Sequence, residues 1–294
     1  MVVGAAQEHL VMRVLVTGAG GQIGRELAEV FTAAGHEVNA TTSASLDVAD
    51  RHAVRHALRS LAPEVVVNAA AWTDVDGCED DPDRAALVNG RSVGHLVEAA
   101  QEVGAHVCHL STDYVFDGRK LGPYAEDDEV NPLSVYGWSK LVGERELRPD
   151  DTLVRTAWVS GRWGRNVVTA IRRQAAVAPE LSFVADQRGS PTIAGDLAAK
   201  ILELTEARTG GVFHVTNQGE ATWFELARAV MASLGLAPER VRPITTAELD
   251  PPRRAVRPAN SVLDNAALRR HGIALLPHWR ERLDQLVTTM AANR

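Results

Sequence analysis

The chain has 294 residues, of which 45% are hydrophobic, enough to bury a core and add a second lobe to a first domain. Its formal charge of -7, with no long single-sign run, leaves no footprint for a nucleic-acid backbone. No apolar stretch reaches the roughly 20 residues of a membrane helix, and the first residues lack the pattern of a signal peptide, so the expected location is cytoplasmic.

Residues 1–11 precede a second methionine, Met12, and are expected to be an N-terminal tail. An apolar run from Arg13 to Thr17 follows, then a glycine turn, a helix over Gln22 to Ala34 and a strand from Glu37 to Ala40. The alternation continues with a strand at Glu64 to Asn68, a helix around Ala85 to Gly104, a strand at His106 to Ser111, a helix near Val135 to Leu147 and a strand at Thr152 to Ala157. Such βα alternation implies an α/β fold with a doubly wound parallel sheet of Rossmann type. Beyond about Gly161, prolines break the pattern into shorter elements. Residues 12–160 are thus expected to form a dinucleotide-binding domain and 161–294 a smaller C-terminal substrate-binding lobe, parts of which return to the sheet.

Gly18-Ala19-Gly20-Gly21-Gln22-Ile23-Gly24 sets three glycines at GxxGxxG spacing between a strand and a helix. That context suits a turn whose backbone amides face a pyrophosphate, with a Cβ excluded at Gly18 and Gly21 and Gly24 permitting close helix packing. The end of the second strand reads Thr41-Thr42-Ser43. With no carboxylate there to repel a 2′-phosphate, NADPH is favoured, and NADH is the alternative. Asp47, followed by Val48, either meets the adenine amine or makes a local Asx-turn.

Tyr136 and Lys140 stand four residues apart, on one face of a helix that Asn131 can cap and Pro132 can open. A free phenol is a poor proton shuttle at neutral pH, and a neighbouring ammonium favours its phenolate. Thr112 lies in Ser111-Thr112-Asp113 at the carboxyl end of a strand, where open α/β sheets place ligand-facing groups. Cys78 and Cys108 make neither a disulfide framework nor a CxxC pair, the ten histidines show no ligand spacing, and no metal site is expected; His109 is read as structural.

These motifs resemble the extended short-chain dehydrogenase/reductases, and among them the dTDP-4-dehydrorhamnose reductase family. The likeness runs nearly the whole way from Met12. It is carried by the glycine turn, Val67-Asn68-Ala69-Ala70-Ala71, Ser111 to Phe116, Tyr136 to Lys140, Arg155 to Val159, Asp186 to Thr192 and Arg257 to Ser261. The resemblance implies reduction of the C4 carbonyl of a dTDP-keto-sugar, with Tyr136 as proton donor and Lys140 tuning it and holding the nicotinamide ribose. It implies that Asn68, Ala69 and Ala70 line the cofactor, that Thr112 and Asp113 orient the sugar, and that Trp158 packs against it. Arg257 is the candidate clamp for the substrate diphosphate.

Trp72 and Asp74 depart from the family's usual loop, and Gly90 from a usual alanine. Some relatives hold magnesium between subunits; no matching acidic set is identified here, so magnesium stays unplaced and a homodimer open. Dehydratases of this fold carry glutamate after Thr-Asp, whereas Tyr114 stands here. An NAD-dependent epimerase, and a non-catalytic subunit like that of methionine adenosyltransferase, are the remaining alternatives.

Overall fold

The structure, a computed structural model, describes residues 11–292. The tail expected over residues 1–11 therefore lies outside the described residues, apart from Val11. The first part of the chain forms β1 (Arg13–Thr17), α1 (Gln22–Ala33), β2 (Glu37–Ala40), α2 (Arg51–Leu61), β3 (Val65–Asn68), the short α3 (Val75–Asp80) and α4 (Pro82–Ala85), α5 (Ser92–Val103), β4 (His106–Thr112), α6 (Val135–Glu144) and β5 (Thr152–Thr156). There follow β6 (Val159–Ser160), α7 (Val167–Ala175), β7 (Leu181–Val184), β8 (Arg188–Gly189), β9 (Thr192–Ile193), α8 (Ala194–Glu206) and β10 (Gly211–His214). The chain closes with β11 (Ala221–Thr222), α9 (Trp223–Ser233), β12 (Val241–Ile244), α10 (Ala266–Arg270) and α11 (Trp279–Ala292).

Six strands make one sheet in the order β2-β1-β3-β4-β5-β10, every neighbour parallel. Alternate side chains of each strand leave by opposite faces. Val14, Val16, Val65 and Val67 accordingly pack with Leu27 and Phe31 of α1 and Leu197 and Ile201 of α8. Leu15 and Val66 pack instead with Val54 and Leu58 of α2 and Leu96 and Val97 of α5. Helices on both faces bury β3 and β4 completely, which is why β3 opens as a run of three valines, while β4 carries His106 and His109 inside. This is the doubly wound α/β architecture that the alternation predicts. The strand order reverses between β1 and β3, and such a switch point opens a crevice beyond the carboxyl ends of the strands.

Part of the chain beyond residue 160 belongs to this sheet: α8 lies against α1, and β10 adds the edge strand beside β5. The remainder has its own core, in which Ile171, Leu226, Met231, Trp279 and Leu283 join α7, α9 and α11 over the parallel pair β7 and β12.

Three local features differ from expectation. Helix α2, hidden between two strands in the sequence, is fixed by Asp50, whose carboxylate accepts from the amides of His52 and Ala53 at 2.9 and 3.0 Å. Helix α6 starts at Val135 and is capped by Ser134, which accepts from Gly137 N at 3.1 Å. Asn131 is not its cap; its amide reaches Asp117 instead. The long helix expected around Ala85 to Gly104 opens with a π-helical turn over Ala86–Arg91 before α5 begins. That turn points Asn89 at Trp72 and Ser139, with Oδ1 accepting from Trp72 N at 2.8 Å and Nδ2 donating to Trp72 O and Ser139 Oγ, both at 3.0 Å.

Candidate active site

A cleft of about 1260 Å³ runs along the carboxyl edge of β1, β3, β4 and β5. Its wall includes Gly18, Gly20, Gly21, Gln22, Ile23, Asp47, Val48, Ala69 and Ala70 on one side, and Thr112, Asp113, Tyr136, Lys140 and Trp158 on the other. Gly24, Asn68 and Arg257 stand behind or away from that wall.

At the turn, Gly18 has φ +70°, and a Cβ there would lie 2.6 Å from the backbone of Ala69 and Ala70. A Cβ on Gly24 would meet Gly18 O at 2.2 Å, a tighter exclusion than the 3.2 Å at Gly21. The strict positions are thus Gly18 and Gly24, because the first turn of α1 folds directly over the end of β1. Helix α1 has no side-chain cap and no acidic residue in its first turn, so its amides and positive dipole end face the cleft, where a pyrophosphate fits. Gln22 serves a second purpose: its amide donates to Val159 O at 3.0 Å and its oxygen accepts from Gly161 N at 2.9 Å and Asn166 Nδ2 at 2.7 Å. These bonds tie the turn to the smaller lobe. Asp47 accepts from Ala49 N at 2.9 Å, the Asx-turn of the two readings, while its residue still borders the cleft with Val48.

Asn68 lies behind the cleft wall. It is 1% exposed; its oxygen accepts from Thr17 Oγ1 at 2.7 Å and Ala70 N at 3.2 Å, and its amide nitrogen lies 3.0 Å from His109 Nδ1. His109 Nε2 is 3.1 Å from Lys140 Nζ, which also donates to Leu110 O at 2.6 Å. Burial drives the His109 ring well below its ordinary pKa, with the Lys140 charge adding to the fall, so the imidazole is neutral. Lys140 is likewise lowered by burial, to about 8, although Glu144 one turn along pulls it up.

Tyr136 is half-buried in the cleft wall. Burial pushes its phenol well above the usual range, the Thr112 hydroxyl bond opposes this, and Asp113, Tyr114 and Cys78 add to the rise. Lys140 Nζ makes its own bonds to His109 and to Leu110 O. Thr112 Oγ1 donates to Asp113 Oδ1 at 3.0 Å and accepts from Tyr114 N at 3.2 Å. Burial raises Asp113 to about 6, with the Ser261 and Thr112 hydroxyls holding it down.

Trp158 follows β5 with φ +46°, a conformation that costs a non-glycine residue energy and clusters at ligand sites. Its indole stacks on Trp223 at 3.6 Å between ring centroids and 10° between planes. One tryptophan comes from the sheet and the other from α9, so the stack spans the lobe junction at the cleft.

The diphosphate clamp expected at Arg257 is not at the cleft wall. The guanidinium is already matched fork to fork with Asp76, at 2.6 and 2.8 Å, and also donates to Ala255 O. The same carboxylate accepts from the amides of Arg254 and Ala255, both at 3.0 Å, and pairs with Arg253 at 3.6 Å. Arg254 pairs with Asp80. These bonds hold Asp76 far below the ordinary carboxylate range, the Arg257 hydrogen bond first among them. Residues 253–257 are therefore a strap buckled onto α3. Cationic groups that do border the cleft are Arg84, lying 4.3 Å above the Trp72 ring, and Arg165. Nothing in the local sequence around Arg84 or Arg165 marks them; only the fold brings them there. Among the described residues no three His, Cys, Asp or Glu are grouped to hold a metal ion, and no helix is long and apolar enough to cross a membrane.

The chain is similar to known proteins over nearly its whole length. A dTDP-4-dehydrorhamnose reductase of Mycolicibacterium smegmatis is 41% identical over 97% of this chain and 88% of its own length. The spore coat polysaccharide biosynthesis protein SpsK of Bacillus subtilis is 42% identical over 92% of this chain and 95% of its own. The crystal structure of a dTDP-4-dehydrorhamnose reductase from Bacillus anthracis in complex with NADP superposes with a TM-score of 0.91 at 32% identity, covering 95% of this chain and all of that one. The family described as the RmlD substrate binding domain matches residues 12–292, and the chain belongs to that family.

Proposed function

We propose that this protein is an NADPH-dependent oxidoreductase that reduces the C4 keto group of dTDP-4-dehydro-L-rhamnose to give dTDP-L-rhamnose. The observation that carries the reading is the placement of Thr112, Asp113 and Tyr136 in the same cleft as the glycine turn, across the switch point from the free N-terminus of α1.

The bound dinucleotide would supply hydride. Gly18 to Ile23 would hold its pyrophosphate, and Thr42 and Ser43, which also border the cleft, would offer hydroxyls rather than a carboxylate at the 2′ position. Ala69 and Ala70 leave space on the opposite side. Tyr136, kept protonated by burial, donates its proton to the sugar oxygen as charge develops there. Thr112, whose one hydroxyl proton goes to Asp113 in the ligand-free site, would turn it to the same oxygen, and Asp113 would then accept from a sugar hydroxyl. Trp158 supplies an apolar face for the pyranose ring.

The test is a spectrophotometric assay of the purified protein with dTDP-4-dehydro-L-rhamnose against NADPH and NADH in parallel. Loss of nicotinamide absorbance in step with dTDP-L-rhamnose supports the reading. Conversion of the sugar without net loss of absorbance would replace it with an epimerase, and no conversion by a folded sample would remove it.

A further inference from the structure

The chain of buried groups behind Lys140 fixes a direction for each hydrogen bond. Asn68 Oδ1 is identified by the amide it accepts from: Ala70 N can only donate, and Thr17 Oγ1 donates to the same atom. Asn68 therefore presents its NH2 to His109 Nδ1, 3.0 Å away. Nδ1 must accept. A neutral imidazole carries a single N–H, so the proton of His109 sits on Nε2. That N–H points at Lys140 Nζ, 3.1 Å away. An ammonium has no lone pair and would set donor against donor. An amine accepts from Nε2–H while still donating to Leu110 O.

We propose that Asn68 locks His109 as the Nε2–H tautomer, and that His109 in turn biases Lys140 from the ammonium towards the amine in the ligand-free site. His109 is a positioning residue on this account. It acts on Lys140 and touches neither sugar nor cofactor. Lys140 meets His109 and the Leu110 carbonyl on β4, and Tyr136 and Glu144 stand one turn away on either side of it on α6. Glu144 favours the charged form, but its carboxylate is already engaged by Arg155, at 2.8 Å to Nη2, and by Ser111. Full burial of Lys140 also favours the amine. Only above the Lys140 midpoint does the site combine a protonated phenol with an uncharged lysine.

The inference rests on the reductase reading only for the importance of Lys140, and its test uses ligand-free protein. The chain has three lysines, Lys120, Lys140 and Lys200, so a 13Cε-lysine spectrum followed against pH gives separate curves. Lys140 is expected to titrate near 8. In His109→Phe the amine loses its donor, and the midpoint is expected to rise by on the order of one pH unit. If His109 instead accepts from an ammonium, the same substitution lowers the midpoint, and that result, or no change, overturns the proposal. Should His109→Phe fail to fold, the wild-type protein decides. Two-bond 1H–15N correlations are expected to show His109 with a proton-bearing Nε2 and a pyridine-type Nδ1, and the opposite tautomer refutes the inference. Neither outcome depends on turnover, so an inactive enzyme with this tautomer would count against the reductase reading alone.

Discussion

The wall beneath Tyr136 and the strap over residues 253–257 are both polar, yet they are built in opposite ways. The wall runs Thr17, Asn68, His109, Lys140 entirely inside the protein, each member at most 2% exposed and joined by bonds of 2.7 to 3.1 Å. The strap hangs from two carboxylates, Asp76 and Asp80, whose side chains are 27% and 55% exposed. A buried network has a few allowed proton arrangements and resists rearrangement, because each broken bond leaves an unsatisfied group in a low dielectric. A surface cluster of ion pairs is screened by salt and exchanges partners easily. The first lies directly behind the cleft, and the second holds residues 253–257 on α3.

Four changes test that contrast, the largest effect first. Tyr136→Phe removes the proton donor and is expected to lower kcat by about 10²- to 10⁴-fold while leaving dinucleotide affinity near normal, as read by steady-state kinetics and cofactor fluorescence titration. A variant that turns over normally would move the acid elsewhere. Gly24→Ala drives a Cβ to 2.2 Å from Gly18 O and should cost about 1–3 kcal/mol in urea unfolding, with weakened cofactor binding.

Asp113→Asn tests the wall through pH. Because folding raises this carboxyl from 3.8 to about 6, the native state holds its proton where the unfolded chain has lost it. Its contribution to stability is therefore fully present below about pH 4 and is lost as pH rises to 6 and beyond. The asparagine variant should unfold at higher urea than wild type at pH 7, by on the order of 1–3 kcal/mol, with that advantage gone at pH 4. An advantage that persists at pH 4 would trace to packing instead. It should also bind the sugar nucleotide less well, since a carboxylate acceptor has been exchanged for an amide.

The smallest effect is expected at Asp76→Asn. Loosening the strap should raise KM for the sugar nucleotide several-fold with kcat nearly unchanged, and the wild-type KM should climb with salt while the variant's stays flat. A kcat loss as large as that of Tyr136→Phe would mean that the strap and the wall are one unit.

Much of the sheet was legible because parallel strands covered on both faces are rich in apolar residues, and the glycine turn because its neighbours are a strand and a helix. The Tyr136 and Lys140 spacing was legible for the same local reason. What escaped depended on distant partners. Asn131-Pro132 has the look of a helix start, but Ser134 has the geometry. Arg257 has the chemistry of a phosphate clamp, but Asp76, 181 residues away, already occupies it. His109 reads as one more polar residue on an apolar strand until Asn68 and Lys140 are seen on either side of it.

The π-helical turn at Ala86–Arg91 carries a consequence for how this chain can vary in length. It holds one residue more than a regular turn would, and that surplus sets the rotational phase of everything before it relative to α5. Deleting a single residue there would let the segment wind as ordinary helix, but would swing Asn89 by roughly 100° and detach both the Trp72 loop and Ser139 on the Tyr136 helix. The tolerance for a deletion at this point should therefore be lower than in any surface loop, although the backbone it leaves would be the more regular one.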